Sequence, residues 1–317
     1  MTRRERIVLN KASLRGVWTA LVTPFTADDR VDVDALRALV REQLAAGVAG
    51  LVPCGTTGET ATMSTAEQDL VITTVLDEVK GAIPIVAGAG ANDTKKAIER
   101  HQQVAALVSS GGFVVDGALH VTPWYNKPTQ DGLFAHFMAV ATSAELPIIL
   151  YNVPGRTGVD MLPDTVLKLV VADRRFVGIK EATGSVQRSQ DLLNAFHAAG
   201  KGNDVAILSG DDGHILSLLA LGGDGVISVT SHLCARELAQ MVKAFDAGDM
   251  ATAQALSRRT SPLSNHMFFR SNPIPVKTAL AMRGQAGIAA RFRLPLVPLS
   301  ESETAELKQR LTSSGWL

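Results

Sequence analysis

A short apolar run ends on a lysine in the stretch Phe176-Val177-Gly178-Ile179-Lys180. A continuous run of this kind predicts a strand that is buried on both faces, as in a parallel sheet. A lone lysine at a strand end is more often a solvated terminal residue than a catalytic one. Such a lysine can also be a nucleophile whose amine forms an imine with a carbonyl substrate. The rest of the chain has to decide between these two interpretations.

Apolar runs of similar length occur on both sides of Lys180, and amphipathic segments separate them. The eight strand candidates are residues 17–22, 48–54, 83–87, 118–121, 147–150, 176–179, 205–208 and 225–229. Uniformly apolar strands that alternate with helices predict a parallel sheet covered by helices. Eight such repeats favour a closed (β/α)8 TIM barrel over an open doubly wound sheet. The open sheet is also disfavoured because no GxGxxG motif follows the first strand.

The predicted domain organisation has three parts. An N-terminal arm (1–15) precedes the (β/α)8 barrel (16–232), and a C-terminal helical region (233–317) packs on the barrel. No stretch between these parts is typical of a linker to a second, independent domain. Within the C-terminal region, Pro273 and Pro275 are expected to interrupt the helical pattern.

The composition indicates a globular protein. Hydrophobic residues make up 46% of the chain and charged residues 20%, so the chain can bury a large core. Lys+Arg and Asp+Glu both number 31, and this balance argues against nucleic acid or a membrane surface as a partner. Cys54 and Cys234 are far apart, which predicts a reduced, cytoplasmic protein without disulfides or a zinc site. The seven histidines show no paired metal-ligand spacing, so we expect no metal. We also expect no cofactor.

Unusual residues follow several of the other strand candidates. The motifs are Gly55-Thr56-Thr57-Gly58-Glu59, Trp124-Tyr125-Asn126 and Tyr151-Asn152-Val153-Pro154-Gly155-Arg156. In a TIM barrel the C-terminal strand ends surround one pocket, and several strands contribute catalytic groups to it. We therefore expect these motifs to meet at Lys180. Each motif alone has an ordinary explanation, such as a tight turn or a surface arginine, so the interpretation depends on their joint occurrence.

These residue types fit imine chemistry on Lys180. Imine formation needs an uncharged amine, and burial disfavours the ammonium form of a lysine. Protons must also move to and from the carbonyl oxygen, for which Tyr151 is the best candidate, with Thr56 and Tyr125 as possible relay members. The Gly-Thr-Thr-Gly turn offers backbone N–H groups and hydroxyls to a small carboxylate. Arg156 can bind a second carboxylate bidentately.

Taken together, the motifs resemble the signatures of the dihydrodipicolinate synthase / N-acetylneuraminate lyase family of class I aldolases. The resemblance runs from about residue 16 to at least residue 281, and the joint match is highly specific. The matching stretches are residues 55–59, 151–158, 178–184, 209–212, 225–230 and 272–277.

The resemblance implies a set of catalytic roles. Members of the family share the barrel and bind pyruvate as an imine on the lysine that matches Lys180. In the synthase branch, the tyrosine that matches Tyr151 is the acid/base. The residues that match Thr56 and Tyr125 complete its proton relay, and Tyr125 would reach in from a neighbouring subunit. The implied assembly is a homotetramer, or at least a tight dimer.

The resemblance also implies the substrates. Residues that match Thr57, Gly210 and Ile227 line the pyruvate site. The arginine that matches Arg156 binds the carboxylate of aspartate semialdehyde. The implied reaction condenses pyruvate with aspartate semialdehyde to 4-hydroxy-tetrahydrodipicolinate in lysine biosynthesis.

Two departures from the family pattern concern the region before Tyr125 and the regulation by lysine. Trp124 stands where many members have a second tyrosine, and the segment 92–125 is longer than expected. Members that lysine inhibits have a histidine and a glutamate at a subunit interface, where this chain has Gln68 and Lys96. A cationic Lys96 repels the ammonium that a glutamate would attract. We therefore expect weak or absent feedback by lysine.

Two alternatives to the synthase remain open. A pyruvate-dependent aldolase or lyase that acts on a sugar acid or another aldehyde would keep the imine and change the acceptor. A keto-acid-binding protein without turnover would keep only the pocket. The second alternative is disfavoured because a protein that only binds has no need of the complete proton relay.

Overall fold

Eight parallel strands form one closed sheet in the computed structural model, which describes residues 4–317. They are β1 (Gly16–Ala20), β2 (Gly50–Val52), β3 (Val86–Gly88), β4 (Gly117–Val121), β5 (Ile148–Asn152), β6 (Phe176–Glu181), β7 (Ala206–Ser209) and β8 (Gly225–Ser228). The hydrogen-bonded order is β2-β1-β8-β7-β6-β5-β4-β3, and a parallel bridge between Leu51 and Ile85 joins its two ends. The predicted (β/α)8 barrel is confirmed, and each of the eight predicted strands is present.

Helices cover the outside of the barrel and make up the C-terminal region. Within residues 4–317 they are α1 (Lys11–Leu14), α2 (Val33–Ala46), α3 (Thr65–Val79), α4 (Thr94–Ala106), α5 (Gln130–Ala141), α6 (Pro154–Thr157), α7 (Pro163–Ala172), α8 (Val186–Ala198), α9 (Ile215–Leu221), α10 (Ser231–Asp246), α11 (Met250–Met267), α12 (Ile274–Met282) and α13 (Glu301–Ser313). None of them combines the length and the apolar character that a membrane crossing requires.

The predicted interruption of the C-terminal helices is present at Pro273, because residues 268–273 separate α11 from α12, but Pro275 does not break the helical pattern. Helix α12 begins at Ile274, so Pro275 lies in its first turn. A proline at this place costs no hydrogen bond, because the first N–H groups of a helix have no partner within it. The chain also leaves the helical conformation at residues 247–249, between α10 and α11.

Apolar side chains fill the inside of the barrel. The cluster includes Trp18, Val52, Leu119, Ile149, Leu208 and Ile227. The N-terminal arm adds Leu9 and Leu14 to it, and the Trp18 indole donates a hydrogen bond to the Leu14 carbonyl at 2.9 Å. The arm therefore closes the end of the barrel where the strands begin. Residues 1–3 of the predicted arm lie outside the part of the chain that the structure describes.

Three buried histidines lie between β4 and the helices α4 and α5. His101 Nδ1 is 3.1 Å from His120 Nε2, and His136 Nδ1 is 2.9 Å from the Thr94 hydroxyl. Burial lowers the pKa of His101 and of His136 to about 4, and it lowers the pKa of His120 well below the ordinary value. The three imidazoles are therefore neutral at pH 7.

The free energy of unfolding is expected to fall as the pH is lowered from about 7 to about 4. Each of these histidines has a pKa near 6.5 in the unfolded chain, which therefore binds more protons than the folded protein in acid. Their stabilisation is fully present above about pH 6.5 and is lost as the pH falls towards about 4, by up to about 1.4 kcal/mol per pH unit for each histidine. Denaturant unfolding at a series of pH values measures this slope.

A matched pair of variants separates these histidines from the ordinary acid sensitivity of the chain. His101→Gln is expected to reduce the slope of the unfolding free energy against pH by up to about 1.4 kcal/mol per pH unit, because about one proton fewer is taken up on unfolding. His197 is exposed near the end of α8, so His197→Gln is expected to leave the slope unchanged. Equal slopes in the wild type and in His101→Gln would contradict the prediction.

Candidate active site

Lys180 and Tyr151 lie side by side inside the C-terminal end of the barrel. They face each other across the β5–β6 ladder, in which Tyr151 is the register partner of Lys180. Both side chains are buried, and 6% of each residue is exposed. The Lys180 Nζ atom lies 4.4 Å from the centroid of the Tyr151 ring. The structure thus brings the two predicted central residues together, within the last two positions of their strands rather than after them.

The Lys180 amine has no acidic partner in the part of the chain that the structure describes. Within residues 4–317, no carboxylate oxygen lies within 4.0 Å of its nitrogen. The next residue, Glu181, is buried on the opposite face of β6, because successive strand residues alternate. The Glu181 carboxylate accepts hydrogen bonds from the Thr183 backbone N–H at 2.7 Å and from the Asn152 amide at 3.2 Å. The amine is therefore left free for a bound substrate rather than held in an ion pair.

Burial raises the pKa of Glu181, and the hydrogen bonds from Asn152 and Thr183 oppose this shift. Asn152 is itself tied to the segment just before α7, since its Oδ1 atom accepts the Met161 N–H at 3.0 Å. Its Nδ2 atom also donates to Asp160 at 2.8 Å. These contacts fix the ends of β5 and β6 from outside the barrel, and they hold the strands that carry the lysine and the tyrosine.

The Gly-Thr-Thr-Gly motif forms one tight helical turn, Thr56–Gly58, after β2. Thr57 is buried and Thr56 is exposed, so the two predicted hydroxyls lie in different surroundings. The Thr57 hydroxyl oxygen accepts a hydrogen bond from the Asn272 amide at 2.9 Å. The Thr23 hydroxyl donates to the Gly58 carbonyl at 2.7 Å and ties the turn to the chain after β1.

Tyr125 and Arg156 belong to two neighbouring segments at the mouth of the barrel. The Tyr125 N–H donates to the Thr157 carbonyl at 3.3 Å, which holds the segment after β4 against α6. Arg156 lies in the short helix α6 rather than in a loop, and it is exposed. Tyr125 has a left-handed φ of 76° and is 88% exposed. A single chain therefore does not bury Tyr125 in the site.

Gly210 and Ile227 complete the set of predicted site residues. The Gly210 N–H donates to the Glu181 carbonyl at 2.7 Å. A Cβ atom at Gly210 would lie 2.4 Å from the Ala182 Cβ, so no other residue allows this close approach. Ile227 is fully buried and shares the interior cluster of the barrel with Tyr151. Both residues thus lie on strand ends close to that of Lys180.

The sequence did not predict two contacts at the site. Asn272 reaches Thr57 from just before α12, and Lys277 pairs with Glu59 at 2.6 Å. The Lys277 Nζ atom also lies 4.4 Å from the centroid of the Phe25 ring. Desolvation lowers the pKa of Lys277, and the Glu59 carboxylate opposes this shift. The stretch 272–277 takes part in the family resemblance, but nothing in its local pattern indicates what it contacts.

A closed barrel that buries a lysine and a tyrosine side by side at the C-terminal ends of its strands has the layout of a TIM-barrel enzyme. The sequence profile of the Dihydrodipicolinate synthetase family matches residues 13–314. The chain belongs to this family, which confirms the resemblance that its motifs indicate.

Known proteins are similar to this chain over nearly its whole length. The 4-hydroxy-tetrahydrodipicolinate synthase of Maridesulfovibrio salexigens is 46% identical over 303 residues, 96% of this chain and 99% of the relative. The chloride-inhibited dihydrodipicolinate synthase of Acinetobacter baumannii, solved with pyruvate, is 41% identical with a TM-score of 0.88 and covers 96% of this chain and 100% of that one. The enzyme of Cyanidioschyzon merolae, solved with lysine bound, is 37% identical with a TM-score of 0.88 over 96% of this chain and 99% of its own.

Proposed function

We propose that the protein is a 4-hydroxy-tetrahydrodipicolinate synthase, a lyase of lysine biosynthesis that condenses pyruvate with aspartate semialdehyde. The observation that carries the proposal is the buried Lys180 amine, which lies 4.4 Å from the centroid of the Tyr151 ring and has no carboxylate oxygen of residues 4–317 within 4.0 Å. Family membership and the names of the relatives support it. The pyruvate complex of the Acinetobacter baumannii enzyme supports the first substrate.

In the proposed mechanism the Lys180 amine attacks the keto carbon of pyruvate. The carbinolamine loses water to give an imine, and loss of a methyl proton then gives a nucleophilic enamine. The enamine carbon attacks the aldehyde carbon of aspartate semialdehyde. The amino group of this second substrate then replaces Lys180 at the imine carbon, which closes the ring and frees the enzyme. Every step moves a proton, and Tyr151 is the proposed acid/base.

The other residues bind and complete the site. Thr57 and the backbone of its turn bind the pyruvate carboxylate, and Gly210 and Ile227 line the same pocket. Thr56 and Tyr125 pass protons between Tyr151 and solvent. The 88% exposure of Tyr125 supports its contribution to a neighbouring subunit, since such a side chain finds its partner only in an assembly. We propose a homotetramer of tight dimers, located in the cytoplasm.

Borohydride trapping tests the proposal. The protein is incubated with pyruvate and borohydride, the adduct is located by peptide mass mapping, and turnover of aspartate semialdehyde is measured on the same preparation. We expect a reduced pyruvyl adduct on Lys180 together with rapid turnover. An adduct without turnover of aspartate semialdehyde would mean that the enzyme uses another aldehyde as its acceptor, such as a sugar-acid fragment. Folded protein that forms no adduct would overturn the imine mechanism.

Arg156→Ala is expected to raise the KM for aspartate semialdehyde by about 10- to 100-fold, because a charge-assisted bidentate contact is lost. Pyruvate adduct formation is expected to stay unchanged, since the pyruvate carboxylate is bound elsewhere. Steady-state kinetics with each substrate varied in turn measures both effects. Arg174→Ala is the matched control, because Arg174 is exposed just before β6, at the other end of the barrel. Equal KM values in the two variants would contradict the assignment of Arg156.

Lysine is expected to inhibit this enzyme weakly or not at all. Lys96 is exposed in the first turn of α4, and the Gln68 side chain donates to the Met63 carbonyl at 3.2 Å. A cation at position 96 repels the lysine ammonium. The double variant Gln68→His/Lys96→Glu removes this repulsion and is expected to gain sensitivity. Half-inhibition of the wild type below about 1 mM lysine in a steady-state assay would refute the electrostatic argument.

A further inference from the structure

We propose that Asn272 is a positioning residue that orients the Thr57 hydroxyl towards the pyruvate carboxylate, and that the buried Glu59–Lys277 pair holds the two residues at this distance. The inference deepens the proposed function and rests on it. It assigns a task in substrate binding to the segment just before α12, which lies outside the barrel.

The Asn272 amide places Nδ2 towards Thr57, and its Oδ1 atom is buried without a hydrogen-bond partner in residues 4–317. The Asn272 Nδ2 group can only donate, so the Thr57 oxygen is the acceptor in their 2.9 Å contact. A hydroxyl has one proton and two lone pairs. Because Asn272 occupies a lone pair, the Thr57 proton remains available to an acceptor. Thr57 makes no other side-chain hydrogen bond within residues 4–317, and a substrate carboxylate is an acceptor of the required kind.

The Glu59–Lys277 pair connects the same two segments a second time. Glu59 follows Thr57 by two residues, and Lys277 follows Asn272 by five residues. Their 2.6 Å contact is almost completely buried, with side-chain exposures of 1% and 0%. The Arg293 N–H donates to the other Glu59 oxygen at 3.2 Å, so Glu59 is held from two sides.

This arrangement is better suited to orientation than to stability alone. A buried ion pair loses most of its Coulombic gain to desolvation and is often no more stabilising than apolar residues. It does impose a fixed direction on both partners. The Asn272–Thr57 and Lys277–Glu59 contacts join residues that are 215 and 218 positions apart along the chain. Together these two contacts set the position of the Thr57 turn relative to α12.

Asn272→Ala is expected to raise the KM for pyruvate by about tenfold, with kcat at saturating pyruvate changed by less than about threefold. The pyruvate carboxylate is bound equally in the ground state and in the transition state. Loss of its oriented contact with Thr57 therefore weakens pyruvate binding and does not slow the chemical step. Asn272→Asp is expected to have a larger effect, because the new carboxylate accepts the Thr57 proton and repels the substrate. The KM for aspartate semialdehyde is expected to stay constant in both variants.

A double-mutant cycle with Thr57→Val tests whether Asn272 acts through Thr57. If it does, adding Asn272→Ala to Thr57→Val raises the KM for pyruvate no further, whereas Asn272→Ala retains its effect in the Thr57→Ser background. Thr278→Val is the matched control. Thr278 is buried one residue after Lys277, but among residues 4–317 its hydroxyl donates only to the Ile274 carbonyl of its own helix.

The closing experiment measures how the amount of borohydride-trapped adduct on Lys180 depends on pyruvate concentration, in the wild type and in the variants at positions 57, 272 and 278. We expect adduct in each, with a half-saturating concentration about tenfold higher in Asn272→Ala and no further increase in the double variant. Equal half-saturation in the wild type and Asn272→Ala would overturn the positioning role and leave the proposed function intact. Effects that multiply in the double variant would also overturn it. Absence of adduct in the wild type would overturn both.

Discussion

Lys180→Met is expected to reduce kcat/KM for the condensation by about 10⁴-fold or more, as for other enzymes that lose their nucleophile. Methionine fills a similar volume inside the barrel but has no amine, so neither carbinolamine nor imine can form. Turnover with both substrates and adduct mapping with pyruvate alone measure the effect. The adduct on the peptide that contains position 180 is expected to disappear completely.

Two further variants make this test specific. Lys180→Arg keeps the positive charge but is expected to be equally inactive, because a guanidinium stays protonated and forms no imine. Lys168→Met removes an exposed lysine of α7 and is expected to keep full activity and a normal adduct. Substantial activity in Lys180→Arg would mean that the lysine acts through its charge, and the imine mechanism would fail.

Tyr151→Phe is expected to lower kcat by about 10²- to 10³-fold, the usual contribution of a general acid/base. The phenyl ring keeps its place in the barrel interior and its contact with the Lys180 side chain. The midpoint of thermal unfolding is therefore expected to change little. A rapid-quench measurement of adduct formation separates the steps, because the rate of imine formation should fall while the final yield of adduct stays normal.

The sizes of the activity losses in Tyr151→Phe and Thr56→Val distinguish proton transfer from packing. Tyr151→Phe and Thr56→Val both interrupt the proposed relay, but only Tyr151 lies buried against the lysine. We expect the Thr56 variant to lose less activity, because water can reach an exposed relay position and take over the transfer. A Tyr151→Phe enzyme with wild-type kcat would exclude Tyr151 as the acid/base.

Local patterns in the sequence were sufficient to predict the architecture. Buried parallel strands are apolar on both faces, so all eight runs stand out from the amphipathic helices between them. The capping box at Ser64 and the left-handed Gly47 mark helix ends by chemistry within a few residues. The break lies at Pro273 and not at Pro275, since a proline suits the first turn of a helix as well as a loop.

Part of the site followed from the fold. Lys180 and Tyr151 end adjacent strands of a parallel barrel, whose C-terminal ends share one face, and the two residues are register partners. Their type and order along the chain were therefore enough to predict that they meet. The exposure of Tyr125 is different, because no surface within residues 4–317 of one chain covers it.

The sequence by itself determined the barrel, its strands and the group of polar residues at the strand ends, because each depends on periodicity and on neighbours close along the chain. Only the tertiary structure decided that Leu9 and Leu14 close the barrel, that three histidines are buried together, and that the stretch 272–277 reaches the Thr57 turn. These contacts join residues far apart in sequence, and each side of such a contact has an ordinary local pattern. Their energies arise from burial and hydrogen-bond geometry, which exist only once the chain has folded.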